Sequence, residues 1–126
     1  DVVPGAGAGR RRGGRGVVRE YRVLSDEALL TVAWGRHLFP PWGAAGGRPG
    51  SPNYVQIIRA DGSAGERFGK GSRLPLRRGD LVRLVTGTGG GYGDPSERDR
   101  ALVAADLRDG LITPEEAAGV YGLGAS

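Results

Sequence analysis

The residue types that could carry chemistry in this chain are few and scattered. His37 is the only histidine and there is no cysteine, so thiolate nucleophiles, thiolate metal sites and disulfides are excluded, and nothing points to an oxidising compartment. A metal centre needs three or four ligands, and no compact carboxylate cluster accompanies His37 in the sequence. None of Ser25, Ser51, Ser63, Ser72 or Ser96 stands in a nucleophile-elbow pattern, although folding could still assemble a Ser/His/Asp set. Arg36 and His37 precede a Pro-Pro-Trp-Gly loop, where such residues contact a ligand or, more often, anchor the loop.

Three further patterns invite sharper readings. The RRRGGRG stretch (10–16) is similar to an RGG-type RNA tether, in which Arg stacks on bases and Gly keeps the backbone mobile. A single copy followed at once by strand-like sequence favours a structured Gly-Gly turn instead. GTGGGYGDP (87–95) has the strand, loop, helix order of a phosphate cradle. It lacks the Lys-Ser/Thr of a P-loop and the third glycine of a dinucleotide fingerprint, and Asp94 at a helix start repels phosphate, so the expectation is a tight backbone turn packed against another surface. DLRDGLITPEE (106–116) has the back half of a calcium loop, but Ala105 and Leu107 occupy the places of the first carboxylates, leaving Asp109 and Glu116. A helix-turn-helix corner explains it better.

These residues must be positioned by a small, loop-heavy framework. The 126 residues include 25 Gly and 8 Pro, close to the range of disordered chains, yet 38% hydrophobic residues gathered in β-branched runs argue for a folded core. VVREYRVL (17–24) and ALLTVAW (28–34) read as strands joined by a short turn, a hairpin. HLFPPWGAAGGRPGSP (37–52) holds too many breakers for a regular element and reads as a long structured loop. NYVQIIR (53–59) and the run through Phe68 flank Asp61-Gly62, a tight-turn pair, which predicts a second hairpin. Gly79-Asp80 precedes a strand LVRLVT, with Val82 and Leu84 on one face and Arg83 on the other.

The period then changes. Asp94-Pro95-Ser96-Glu97 predicts a capped helix start with Glu97 as capping-box partner, and Thr113-Pro114-Glu115-Glu116 predicts a second helix ending near Gly122. The fold class expected is mainly β with two short C-terminal helices (α+β), antiparallel hairpins and long Gly/Pro-rich loops. Its divisions are a Gly/Arg-rich loop at 1–16, a β unit at 17–93 and a helical tail at 94–126.

The formal charge of +4 lies at the N-terminus: residues 1–24 carry six Arg against Asp1 and Glu20, whereas residues 25–126 hold twelve basic and twelve acidic groups. Only Lys70 is a lysine, a bias that a GC-rich coding sequence explains as well as anion binding does. No apolar run approaches a membrane span and no signal-peptide core is present, which fits a soluble, cytoplasmic setting. The absence of Met leads us to expect a piece of a larger protein.

Four segments in this order, RGGRGVVREYRVL (12–24), RHLFPPWGAAGGRPGSPN (36–53), LRRGDLVRLVTGTGGGYGDPSERD (76–99) and DLRDGLITPEEAAGVYG (106–122), resemble the C-terminal end of the hydantoinase B/oxoprolinase family. That family includes N-methylhydantoinase and 5-oxoprolinase components and relatives of acetone-type carboxylases. Arg15 stands where the family more often has an apolar residue, and Thr88 interrupts a commonly continuous Gly run.

The resemblance implies an ATP-dependent hydrolase of cyclic amides, in which a partner activates the carbonyl with ATP and a divalent ion (Mg or Mn) activates the attacking water. ATP and metal belong to the complete enzyme, with no cofactor expected in this segment, and family metal ligands are expected upstream of it. The partners implied are the remainder of the B component, a hydantoinase A-type ATP-binding subunit or domain, and the cyclic amide. Membrane is not among them and nucleic acid is disfavoured. The segment itself is expected to be structural or subunit-docking and inactive alone; the alternative is an RNA-binding module using the Arg/Gly-rich N-terminus. No catalytic position carries over. The matching motif positions are candidate loop or interface contacts: Arg12, Gly13, Gly14, Arg36, Pro40, Gly46, Gly47, Gly89, Gly90, Gly91, Tyr92 and Gly93.

Overall fold

The computed structural model describes residues 2–3 and 5–124. Six strands, Val2–Val3 (β1), Gly16–Arg22 (β2), Glu27–Ala33 (β3), Tyr54–Ile58 (β4), Lys70–Arg77 (β5) and Leu81–Val85 (β6), precede a 3-10 turn at Pro95–Glu97 and helices Arg100–Arg108 (α1) and Pro114–Gly119 (α2). The chain is mainly β and antiparallel with two short helices, as expected. A four-stranded sheet in the order β1-β2-β6-β4 faces a two-stranded one, β3-β5. Alternating apolar residues give each sheet one dry face. Val55, Ile57 and Val82 from one sheet meet Val32 and Leu76 from the other, with Leu30, Trp34, Phe68 and Leu74 at the margin.

The first predicted hairpin is not formed. β2 pairs with β6, from Val18 opposite Val85 to Arg22 opposite Leu81, while β3 pairs with β5 in the other sheet. The short link between β2 and β3 is a corner that changes sheets, and so is the Gly79-Asp80 link between β5 and β6. The two corners are tied together by hydrogen bonds from Val23 N to Asp80 O (2.8 Å) and from Gly79 N to Val23 O (2.9 Å). The buried Asp80 carboxylate secures the junction, accepting from Arg77 N (2.9 Å), Ala60 N (3.0 Å) and the Arg59 guanidinium (2.9 Å). The Arg77 N–H bond first, then those from Arg59 and Ala60, hold its carboxyl below the ordinary aspartate range against the cost of burial. β5 itself was hidden in the sequence by Gly71 and Pro75.

The Asp61-Gly62 hairpin is present: Arg59 N bonds Ser63 O at 2.8 Å, and Gly62 adopts φ +89°, which its missing side chain allows. At the helices, Asp94 caps only the 3-10 turn. The chain becomes extended again at Arg98, and α1 starts later with its own cap, Asp99, accepting from Ala101 N. Glu97 therefore is no capping-box partner and instead approaches Arg10 at 4.0 Å. The Thr113/Glu116 capping box is complete in both directions, and α2 ends at Gly119, before the expected Gly122. Gly110 (φ +70°) turns the chain between the helices as the corner reading required. Val103, Ile112, Ala117 and Tyr121 from this hairpin enclose Ala8, making a second core against the N-terminal segment.

Candidate functional site

Most of the candidate contacts lie in a bundle of extended segments that carry no β ladder. Residues 87–93 form its axis, surrounded by residues 5–9, 11–14 and 41–51. Neighbours recur with a period of three, the repeat of a polyproline II backbone: Gly87 and Gly90 abut the backbones of Ser51 and Trp42, Gly91 abuts Ala8, and Gly89 abuts Gly13 and Gly14. Direct hydrogen bonds cross between segments, from Gly89 N to Gly14 O (2.8 Å), Gly91 N to Arg48 O (2.9 Å), Tyr92 N to Arg11 O (2.9 Å) and Gly93 N to Ala44 O (2.9 Å). A Cβ on Gly91 would stand 2.5 Å from the Ala8 carbonyl carbon, and one on Gly13 equally close to that of Gly89. Here glycine serves close packing of backbones.

The run after β6 is thus an extended rod, in place of the expected tight turn. Because its N–H groups at residues 89, 91, 92 and 93 already bond carbonyls, they do not form a phosphate cradle. Thr88, the departure from the glycine pattern, is buried and cross-links the bundle: its hydroxyl accepts from Ser51 N (2.9 Å) and donates to Gly5 O (3.1 Å).

Of the expected contacts, Gly13, Gly14, Gly47, Gly89, Gly90, Gly91, Tyr92 and Gly93 meet in this bundle, and Gly46 (φ +91°) turns the chain beside Asp94. Arg12 leaves it to join a buried ion cluster. Its Nε and Nη2 reach the two oxygens of Asp106 at 3.2 and 3.3 Å, and Arg98 Nη2 binds the same carboxylate at 3.0 Å. Tyr121 lies against this cluster, and burial pushes its hydroxyl above the ordinary tyrosine pKa. The sequence reading missed Arg98 and Asp106; the only signal was a carboxylate on the apolar side of α1.

Arg36 and Pro40 lie apart, on loop 35–42. Asn53 pins that loop: its N–H donates to Arg36 O (3.0 Å), its Nδ2 to Gly35 O (3.0 Å), its Oδ1 accepts from Gly87 N (2.7 Å), and its carbonyl accepts from His37 Nδ1 (2.9 Å). Asn53 was read only as the start of a strand, although a side chain that both donates and accepts suits such a junction. The pinned loop holds Leu38, Phe39 and Trp42 outward at 77%, 79% and 71% exposure. Beneath it is a cleft of about 480 Å³ lined by Trp34, Arg36, His37, Phe39, Phe68 and Lys70 among others. His37 packs on Gly69, where a Cβ would come within 2.5 Å of it.

Among the described residues no three His, Asp or Glu side chains converge to hold a metal ion, so these residues do not fit the divalent ion that the family resemblance implies. No helix among them is long and apolar enough to cross a membrane.

Comparison with known proteins places this geometry. The family profile of hydantoinase B/oxoprolinase matches residues 4–95. The chain is 38% identical over 118 residues to the B component of a putative D-/L-hydantoinase from a Pseudomonas species, covering 91% of this chain and 19% of the relative. The structure of ATP-dependent caprolactamase from Pseudomonas jessenii superimposes with a TM-score of 0.72 at 30% identity, over 97% of this chain and 22% of that one. A nucleotide-free acetone carboxylase shares the fold, with a TM-score of 0.68 at 20% identity over 95% of this chain and 20% of that one. The chain spans about a fifth of the length of the curated relatives it matches.

Proposed function

The chain belongs to the hydantoinase B/oxoprolinase family, and from that premise we propose that it is a structural, subunit-docking part of an ATP-dependent enzyme that opens cyclic amides. The observation that carries this reading is loop 35–42. Leu38, Phe39 and Trp42 are more than two-thirds exposed on a loop fixed by three hydrogen bonds to Asn53. Large apolar side chains held rigidly in water lose hydration free energy without relief until another surface covers them. Relatives five times as long have ample surface to do so. The glycine bundle supplies the rigidity, since Gly87 on its axis is one of the groups Asn53 holds.

In this reading ring opening takes place on parts of the enzyme outside this chain, with ATP and a divalent ion held there, and the chain alone is inactive. The RNA-binding alternative is disfavoured because the basic segment is a fixed part of the fold in place of a mobile tether: the Arg12 side chain is committed to Asp106, and the backbone of Arg11 to Tyr92.

Two measurements test the proposal. The isolated chain, given hydantoin, 5-oxoproline or caprolactam with ATP and Mg²⁺, should show no ring opening; turnover would sink the idea. In a relative-length polypeptide carrying this chain, replacing Leu38, Phe39 and Trp42 by Ser should lower ATP-dependent ring opening about tenfold or more, without lowering the melting temperature of the isolated chain. Unchanged activity would remove the docking role.

A further inference from the structure

Resting on that docking reading, we infer that the cleft beneath loop 35–42 receives an acidic polypeptide segment, one in which carboxylates flank an apolar side chain. The cleft has four basic lining residues, Arg36, His37, Arg67 and Lys70, and no acidic one. The nearest acidic residue in sequence, Glu66, does not line it.

Some arginines face carboxylates of their own chain, among them Arg59 with Asp80, Arg78 with Asp26 and Arg83 with Glu20, while others of the described residues, such as Arg11, Arg15 and Arg48, do not. Among the described residues Arg36, Arg67 and Lys70 have no such partner. Two of them are braced instead by aromatic faces. Arg36 lies 5.0 Å from the centre of the Trp42 ring, and Arg67 lies 4.1 Å from that of Tyr54. Stacking fixes a guanidinium while leaving its N–H edge available for the bidentate contact a carboxylate makes.

Backbone geometry adds to this fixing. Arg36 adopts φ +59°, a left-handed conformation uncommon for a residue with a side chain. Such conformations persist where surrounding bonds over-determine them, and they gather at binding sites; here the bonds are those from Asn53. The walls between the charges are apolar, formed by Trp34, Leu38, Phe39 and Phe68. A neutral apolar segment would leave the cations desolvated and unpaired, and a second copy of this cleft would bring like charges together. A segment that pairs carboxylates with the rim and an aromatic or aliphatic side chain with the floor satisfies both features. The area available also suits a polypeptide, because the exposed Trp42, stacked on Arg36 and outside the lining, extends the contact beyond the cleft.

The test is an array of overlapping peptides covering the family polypeptide outside this chain, probed with the purified 126-residue chain. Captured peptides should combine Asp or Glu with an aromatic or aliphatic residue. Capture should weaken at high salt, and the triple variant R36E/R67E/K70E should lower it about tenfold. All three positions are exposed, so the variant should keep the parent's melting temperature.

Capture of basic or uncharged peptides, or capture unchanged by the charge reversal, overturns the inference, as does no capture at all. A self-association that the charge reversal leaves intact overturns it in favour of a second copy. If L38S/F39S/W42S abolishes capture and R36E/R67E/K70E does not, docking stands and only the acidic partner fails. If neither variant matters, the docking reading fails with it.

Discussion

Val55 in the sandwich and Gly91 in the bundle are both buried, for opposite reasons. Val55 excludes water with its side chain, packed among apolar residues of both sheets. Gly91 excludes water by having no side chain, so that the carbonyl of Ala8 rests where a Cβ would be. The sandwich is therefore a volume problem, solved by several combinations of apolar residues. The bundle is a contact problem between backbones, solved at its closest approaches by glycine alone. A composition rich in glycine, which from a count looks like a weak core, here builds a second rigid unit.

That contrast can be broken most directly at the adjacent pair Gly13 and Gly14. A Cβ on Gly13 would meet the Gly89 carbonyl carbon at 2.5 Å and Gly90 O at 2.9 Å, whereas one on Gly14 meets nothing within 4 Å. Gly13→Ala should cost more than about 4 kcal/mol in urea unfolding, and Gly14→Ala should stay within about 0.5 kcal/mol. Equal effects would show that the bundle is not held by close backbone contact.

The next largest effect tests what ties the bundle to the helices. Asp106→Ala leaves Arg12 and Arg98 buried without their carboxylate and should cost about 3 kcal/mol; a change under about 1 kcal/mol would mean that the guanidiniums find water instead. In the sandwich, Val55→Ala should cost about 2 kcal/mol through lost burial and partial collapse. Thermal melts should show that it is milder than Gly13→Ala, although it removes atoms where the other adds one. At the periphery, Thr113→Ala removes the capping box of α2 and should cost about 1 kcal/mol, read as reduced helicity and a small drop in midpoint.

The smallest effect is a slope. Asp80 titrates below the ordinary aspartate value of 3.8 in the folded chain, chiefly through the Arg77 N–H bond. Its contribution is therefore full above the unfolded value and is lost as pH falls through the lower folded one. Stability measured from pH 5 downward should decline less steeply in Asp80→Asn than in the parent. Identical slopes would remove Asp80 as the acid-sensitive fastening of the two sheet corners.

Much of the framework was legible in the residues. The second hairpin followed from Asp61-Gly62, the α2 cap from Thr113 and Glu116, and the inward face of β6 from Val82 and Leu84. The family was legible from four segments in order. Misreadings arose where a local signal had two tertiary outcomes. Ser25 and Asp26 mark a reversal of the chain but not whether the flanking strands pair or part into different sheets. Gly71 and Pro75 weaken a strand that pairing with β3 nevertheless forms.

By itself the sequence determined what depends on neighbouring residues: which stretches alternate, where glycine permits a left-handed turn and which hydroxyls and carboxylates cap helices. Only the tertiary structure decided what those pieces were for. The rod at 87–93 exists because segments far away in the chain surround it. Asp106 becomes the anchor of Arg12 across 94 positions, and Asn53 reaches Gly87 across 34. Local propensities act over a few residues, whereas these contacts form only when loops have closed and backbones have come close enough for an absent side chain to matter.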